Sequence, residues 1–213
     1  MKDRSVPFLN QTDIYILRHG ETVSDGPGRR YIGWRDIALS DVGVLQAEAW
    51  AERFSQISLH AIHTSDLSRC RDTAHRIANA CGLKIKLTPE FREIHLGRWE
   101  GILFEEMRKS HPEAYAARGR DIAGYRPPGG ESFIDLSDRV WPKFEAIART
   151  TNGPLLIVTH AGVIRVLLCR LLEIPLANLF RIEIDPGGLC VVCRRPGGYF
   201  VRGLNQGRDL RRL

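Results

Sequence analysis

Two kinds of hydrophobic pattern alternate along this chain. Short runs that are apolar throughout, or that alternate apolar and polar positions, predict buried strands. Longer segments with apolar residues every three or four positions predict helices. The predicted strands cover residues 14–19, 59–65, 84–91, 154–160, 179–185 and 189–195, the last two joined by a Pro-Gly-Gly turn.

The predicted helices have recognisable ends. Ser40 is a candidate N-cap for a helix over 39–56, and Gly82 ends a helix over 66–82. Residues 102–120 read as one or two helices interrupted at His111-Pro112, since a proline inside a helix removes a hydrogen bond. Two more helices, one long and amphipathic, are predicted over 131–150 and 161–174.

Strands that alternate with helices predict an α/β fold in which the helices cover a mainly parallel sheet. The chain of 213 residues shows no repeat, low-complexity stretch or linker, so we expect one domain over 1–213, with a core at about 13–195.

Two of the predicted strands end in histidine. The run "IYILRH" places Arg18 and His19 at the end of the first strand, and "LLIVTH" ends at His160. In an open α/β sheet, ligands bind beyond the carboxyl ends of the strands, so central strands would bring the two imidazoles together. The helix that starts near Ala161 would direct its free N–H groups to the same place.

Two later segments add charged groups to this candidate site. The strand "LHAIHTS" leads to Ser65 and then to Arg69, one helical turn further on, and "REIHLG" contributes Glu93. Each of these residues alone indicates little, because a lone strand-end histidine is more often structural. The remaining histidines are assigned structural or surface positions: His60, His63, His75, His95 and His111.

The composition narrows the class of partner. With 31 basic and 25 acidic residues, the formal net charge is +6, which permits nucleic-acid binding but favours a small anionic substrate, because the arginines are scattered. Five cysteines without zinc-type spacing predict reduced thiols in the cytoplasm. The N-terminal residues lack a signal-peptide pattern, and no apolar run is long enough to span a membrane.

Five motifs in order carry a resemblance to a known family. They read "RHGET", "TSDLSRCRDTA", "EIHLG", "PPGGES" and "VTHAG". Together they resemble the histidine phosphatase superfamily, the phosphoglycerate-mutase-like proteins, over about residues 13–193. The resemblance implies a three-layer α/β/α fold and phosphoryl transfer through a phosphohistidine, with no metal and no cofactor. The "PPGGES" loop is similar to that of the short bacterial members, including α-ribazole phosphatase.

The resemblance also implies roles for residues of this chain. His19 would be the nucleophile, Arg18 and Arg69 would bind phosphate, Glu93 would be the proton donor, and His160 would be the second histidine of the phosphate pocket. A neutral His19 and a cationic His160 would suit these roles. The substrate-binding positions implied or predicted are Thr22, Asp25, Gly33 and Ala161.

Three departures from the family pattern concern substrate choice. Ser24 and Asp25 stand where many relatives have tryptophan and asparagine, and Ile32 replaces a common polar residue. The segment between Glu93 and "PPGGES" is shorter than in the glycolytic mutases. An open site lets water reach the phosphoenzyme, so the short segment favours a phosphatase over a mutase.

The sequence therefore predicts a metal-independent phosphomonoesterase acting on a small phosphorylated metabolite, with α-ribazole phosphate as one candidate. A phosphoglycerate-type mutase is the alternative enzyme, and a non-catalytic module that binds a phosphorylated ligand is the alternative of another class. No membrane or nucleic-acid partner is expected, and a homodimer remains open.

Overall fold

A computed structural model describes residues 11–24 and 26–207 as a six-stranded sheet flanked by helices. The strand order is β3-β2-β4-β1-β5-β6. Strands β3, β2, β4 and β1 run parallel, whereas β5 is antiparallel to both β1 and β6. The strands are β1 (Thr12–Arg18), β2 (Ala61–Thr64), β3 (Ile85–Leu87), β4 (Leu155–Thr159), β5 (Leu189–Arg195) and β6 (Gly198–Gln206).

Helices cover both faces of this sheet. They are α1 (Asp41–Phe54), α2 (Ser68–Cys81), α3 (Phe104–Ser110), α4 (Pro112–Arg120), α5 (Phe133–Thr150) and α6 (Ala161–Leu171). One core cluster joins α1 and α2 to the sheet, and a larger one joins α5 and α6 to the opposite face. The predicted three-layer α/β/α fold with a mainly parallel sheet is confirmed.

Several helix ends follow from local chemistry. The Ser40 side chain accepts a hydrogen bond from the Gly43 N–H, and Gly82 ends α2 in the left-handed conformation with φ 65°. Ser132 and Asp135 form a reciprocal capping box at the start of α5. The break predicted at His111-Pro112 separates α3 from α4.

The predicted strand over 179–185 is wrong. Leu176–Arg181 forms a 3-10 helix, and the residues from 182 to 188 belong to no strand of the sheet. Leu179 and Ile184 are buried there, while the carbonyls of Ile182 and Ile184 accept hydrogen bonds from the Arg165 and Arg18 side chains. The alternation in this segment therefore reflects packing beside the site.

On the side away from β1, β5 pairs with β6, a strand that the hydrophobic pattern did not predict. The sheet therefore continues past residue 195, the predicted end of the core. The residues of β6 are half-buried or exposed except Asn205, so this strand lacks the apolar pattern of the central strands. The predicted strand over 84–91 is also shorter than expected, because Pro89 begins a 3-10 turn after β3.

All five cysteines lie in the described residues and are free thiols. Across residues 11–24 and 26–207, no helix has both the length and the apolar character that crossing a bilayer requires.

Candidate active site

The site lies at the carboxyl ends of the two neighbouring strands β1 and β4. Their parallel register pairs Arg18 with Thr159, so the residues that follow each strand emerge side by side. The His19 N–H donates to the Thr159 carbonyl at 3.0 Å, and the His19 and His160 ring centroids are 5.2 Å apart. The predicted meeting of the two imidazoles is therefore present.

Its own loop orients the His19 ring. Nδ1 lies 2.7 Å from the Gly20 carbonyl oxygen, which can only accept, so Nδ1 carries the proton and Nε2 carries the lone pair. Burial lowers the pKa of His19 well below its ordinary value, and the nearby Arg69 and Arg18 charges lower it further. His19 is therefore neutral near pH 7, as a nucleophile must be.

Gly20 is required by the packing of the catalytic loop. A Cβ on Gly20 would lie 2.3 Å from the Gly43 carbonyl oxygen. A Cβ on Gly43 would likewise lie 2.0 Å from the Glu21 carbonyl oxygen. The two glycines allow the catalytic loop and the start of α1 to pack backbone to backbone.

His160 is enclosed by protein groups. Its Nδ1 accepts a hydrogen bond from Arg69 Nε at 3.3 Å, so its Nε2–H donates to Ser65 Oγ at 2.9 Å. Burial lowers its pKa well below the ordinary value, and Arg69 is the largest charge acting in the same direction. The expectation of a cationic His160 is therefore wrong for the free site, because a proton on Nδ1 would oppose the guanidinium.

Arg69 connects three parts of the site through hydrogen bonds. Its side chain is only 1% exposed, and besides His160 it donates to the Gly33 carbonyl at 2.7 Å and the Arg35 carbonyl at 2.9 Å. Gly33, predicted to contact substrate, supplies a carbonyl to Arg69, and a Cβ there would lie 2.2 Å from the Ile94 carbonyl oxygen. Helix α2 thus ties the loop at 33–35 to the second histidine.

Sequence reasoning missed Glu100. Its carboxylate accepts hydrogen bonds from the backbone N–H groups of Gly33, Trp34 and Arg35 at 3.0, 2.7 and 3.3 Å. It holds the carbonyls of that loop in position for Arg69. No local signal distinguishes this glutamate from its neighbours, because the loop N–H groups that it binds lie 65 to 67 positions away.

Arg18 reaches across the edge of the site. Its Nη1 donates to the Ile184 carbonyl at 2.8 Å, while its buried Nε has no hydrogen-bond partner among the described residues. Burial lowers its pKa to about 10, although the nearby Glu93 charge opposes that shift. A buried N–H group without a hydrogen-bond acceptor costs free energy, so a bound anion that accepts a hydrogen bond from Arg18 Nε would stabilise the site.

Glu93 sits at the start of α6. One carboxylate oxygen accepts from the Ile94 N–H at 2.9 Å and the other from the Gly162 N–H at 3.0 Å. A Cβ on Gly162 would lie 2.2 Å from Glu93 Oε1, so only glycine leaves room for this carboxylate. The first turn of α6 was expected to bind phosphate through free N–H groups, but the Gly162 N–H is already bonded to Glu93.

These groups surround a cavity of about 800 Å³. Arg18, His19, Thr22, Arg69 and Glu93 line it. Among the described residues, the predicted site positions that do not line this cavity are Gly33, His160 and Ala161. Asp25 lies outside the described residues.

The arrangement is suited to phosphoryl transfer. A neutral imidazole with a free lone pair faces the cavity beside two guanidinium groups, which match phosphate oxygens in charge and geometry. A carboxyl group on the same wall can exchange a proton with a leaving oxygen. No group of three or more histidine, cysteine, aspartate or glutamate side chains placed to hold a metal ion occurs in the described part of the chain.

Comparison with known proteins gives the same picture. The profile of the histidine phosphatase superfamily (branch 1) matches residues 14–207. The metal-independent phosphoserine phosphatase of Arabidopsis thaliana is 37% identical over 166 residues, covering 76% of this chain and 69% of that protein.

Two solved structures share the fold over nearly the whole chain. Mycobacterial glucosyl-3-phosphoglycerate phosphatase superposes with a TM-score of 0.83 at 29% identity, covering 93% of this chain and 100% of that one. The α-ribazole phosphatase of Shigella flexneri gives a TM-score of 0.82 at 27% identity, with 92% and 96% covered. This chain therefore belongs to the histidine phosphatase superfamily (branch 1).

Proposed function

We propose that this protein is a metal-independent phosphomonoesterase that transfers the phosphoryl group of a small metabolite to His19 and then to water. The observation that carries the proposal is the His19 ring itself. Its Nδ1 is held by the Gly20 carbonyl, and its pKa is lowered by burial and by two arginines, so Nε2 presents a lone pair at neutral pH.

Substrate binding would place the phosphate dianion between Arg18 and Arg69. Arg69 uses Nε and one N–H of each terminal nitrogen on protein acceptors, which leaves two N–H groups for phosphate oxygens. Arg18 brings the buried Nε that has no partner among the described residues. Both guanidinium groups are held in place before the substrate arrives, so they stabilise the transition state with little reorganisation.

In the first chemical step, His19 Nε2 attacks phosphorus and the bond to the ester oxygen breaks. Glu93 in its acid form donates a proton to that oxygen, and the alcohol leaves. The ring now carries the phosphoryl group on Nε2, while the Nδ1–H remains bonded to the Gly20 carbonyl, which stabilises the positive charge on the imidazole.

In the second step, the Glu93 carboxylate accepts a proton from water as the water oxygen attacks phosphorus. The bond from phosphorus to Nε2 breaks, neutral His19 is restored, and inorganic phosphate leaves. His160 does not compete as nucleophile in this scheme, because Arg69 and Ser65 occupy both of its ring nitrogens.

The relatives suggest which substrates to test first. Their names specify phosphoserine, glucosyl-3-phosphoglycerate and α-ribazole phosphate as substrates of those proteins. A small phosphorylated molecule is also the only partner that the proposal requires. A cytoplasmic location belongs to the same proposal and is supported by the five free thiols.

The deciding experiment is hydrolysis of p-nitrophenyl phosphate and of a panel containing these three esters, with and without EDTA. We expect phosphate release with unchanged kcat in EDTA, because no step of the mechanism uses a metal. A loss of activity in EDTA that added metal restores would contradict the mechanism. Activity in a parallel phosphoglycerate mutase assay would identify the alternative enzyme. No activity in any of these assays would favour a non-catalytic module that binds a phosphorylated ligand.

Replacing Glu93 with glutamine should affect esters according to their leaving groups. The glutamine amide cannot donate a proton to an alkoxide, so kcat/KM for an alkyl phosphate should fall by about 10²–10⁴-fold. The p-nitrophenolate ion needs little protonation, so kcat/KM for p-nitrophenyl phosphate, which reports only the transfer to His19, should fall by less than about tenfold. Glu106→Gln, which alters an exposed carboxylate on α3, is the matched control. Equal losses on both esters would argue against the proton-donor role.

A further inference from the structure

A third arginine lines the cavity in an aromatic surrounding. Arg118, on α4, places its guanidinium carbon 5.6 Å from the ring centroid of Tyr31 and 6.0 Å from that of Trp99. It lies 5.9 Å from the Phe133 centroid and 5.8 Å from that of Phe180. Four rings therefore hold this side chain within the cavity wall.

No carboxylate of the described residues neutralises the charge of Arg118. Among residues 11–24 and 26–207, no carboxylate oxygen lies within the 4.0 Å of an ion pair with it. By contrast, the half-buried Arg139 pairs with Glu131 at 2.7 Å. Burial lowers the pKa of Arg118, and only tyrosine hydroxyls oppose that shift. A partly desolvated cation without a counter-ion is costly, so an anion from outside would stabilise it.

A second guanidinium stands beside it. Arg165, on α6, lies 5.3 Å from the Phe180 centroid and donates through Nε to the Ile182 carbonyl at 2.9 Å. That bond leaves its terminal nitrogens for other acceptors, and Arg165 lines the same cavity as His19. The Phe180 ring, 49% exposed, thus connects two arginines at the wall.

The charge of the whole cavity exceeds what one phosphate requires. Six arginines and two glutamates line it. Arg18 and Arg69 match the phosphate that is to be transferred, whereas Arg118 and Arg165 lie near the aromatic part of the wall. Surplus positive charge therefore remains for a second anionic group.

We propose that Arg118 and Arg165 form a subsite for an anionic group on the leaving alcohol, a carboxylate or a second phosphate. The inference rests on the proposed phosphomonoesterase activity. With such a subsite, the preferred substrates are phosphomonoesters whose leaving alcohol carries a carboxylate or a second phosphate. A nucleoside phosphate with a neutral leaving alcohol is expected to be a poorer substrate. Arg118, enclosed by rings, is the specificity-determining residue of the pair.

The test compares esters that differ in that charge. 3-Phosphoglycerate is paired with glycerol 3-phosphate, and 4-carboxyphenyl phosphate with 4-carbamoylphenyl phosphate, which places the carboxylate farther from phosphorus. 2,3-Bisphosphoglycerate tests a second phosphate. We expect kcat/KM for the better anionic ester to exceed that of its neutral partner at least about tenfold, the effect of one charged hydrogen bond. Which anionic ester is preferred distinguishes carboxylate from phosphate.

Arg118→Gln should reduce this ratio to within about threefold of unity, and Arg118→Lys should keep part of it. Arg120→Gln is the matched control, because Arg120 is exposed two positions further along α4 and does not line the cavity. A ratio near unity in the unmodified enzyme would overturn the inference and leave the phosphomonoesterase intact. A preference that Arg118→Gln does not change would overturn the assignment to Arg118.

A binding measurement separates the subsite from the catalytic proposal. The same esters are titrated calorimetrically into the His19→Ala variant, which is expected not to turn them over. Tighter binding of the anionic member, weakened again by adding Arg118→Gln, would support the subsite even if the enzyme hydrolysed none of the panel. Equal binding of both members would count against it.

Discussion

Replacing His19 with alanine is expected to lower kcat for p-nitrophenyl phosphate by roughly 10⁵-fold, the scale on which enzymes lose activity with their nucleophile. No other imidazole can substitute for it, because both His160 nitrogens are hydrogen-bonded to Arg69 and Ser65. The fold should persist, since the His19 side chain makes one hydrogen bond, to its own loop. Steady-state kinetics and the thermal unfolding midpoint measure the two effects.

Trapping of the intermediate makes this prediction specific. Rapid quenching of the native enzyme with a ³²P-labelled ester should yield an acid-labile, base-stable phosphoprotein that the His19→Ala variant lacks. His75→Ala, at an exposed position on α2, should label and turn over normally. Turnover within tenfold of the native rate in the His19→Ala variant would refute the nucleophile assignment.

Replacing Arg69 with alanine should damage both catalysis and stability. The variant loses a guanidinium from the phosphate pocket, and kcat/KM should fall by about 10³-fold or more. It also leaves the Gly33 and Arg35 carbonyls and the His160 Nδ1 without their donor, in a region where Arg69 is 1% exposed. Unpaired buried acceptors should reduce the free energy of unfolding by about 2–4 kcal/mol.

Chemical denaturation measures the loss of stability, and steady-state kinetics over a range of substrate concentrations below KM measures the loss in kcat/KM. Arg69→Lys keeps the charge but has no planar fork to reach both carbonyls and His160, so it should recover stability only partly and remain impaired in kcat/KM. Arg76→Ala, on the same helix, removes a half-exposed ion pair with Glu48 and one hydrogen bond to the Asp72 carbonyl, and it should cost less than about 1 kcal/mol. Activity of Arg69→Ala near the native level would contradict the phosphate-binding role.

Local sequence patterns predicted a helix or strand correctly where all the residues that form it lie in one short segment. The buried runs of β1 and β4, the capping serine of α1 and the glycine that ends α2 each act within a few residues. The pattern failed at 179–185, where alternation predicted a strand. Leu179 and Ile184 are buried there without strand pairing, and the carbonyls of Ile182 and Ile184 accept hydrogen bonds from arginines of α6 and β1. It also missed β6, whose half-exposed residues need no apolar alternation.

The sequence by itself determined the fold class and which residues gather at the sheet edge, because strand-end positions and the order of five motifs are properties of the chain. Only the tertiary structure decided the protonation states and the hydrogen bonds of the site. The neutral His160, the lone pair on His19 Nε2 and the bond from Gly162 to Glu93 depend on burial and on contacts between distant segments. The same holds for Glu100 and Arg118. The loop N–H groups bound by Glu100 and the aromatic rings around Arg118 come close only in the folded chain, so no motif spacing predicts these contacts.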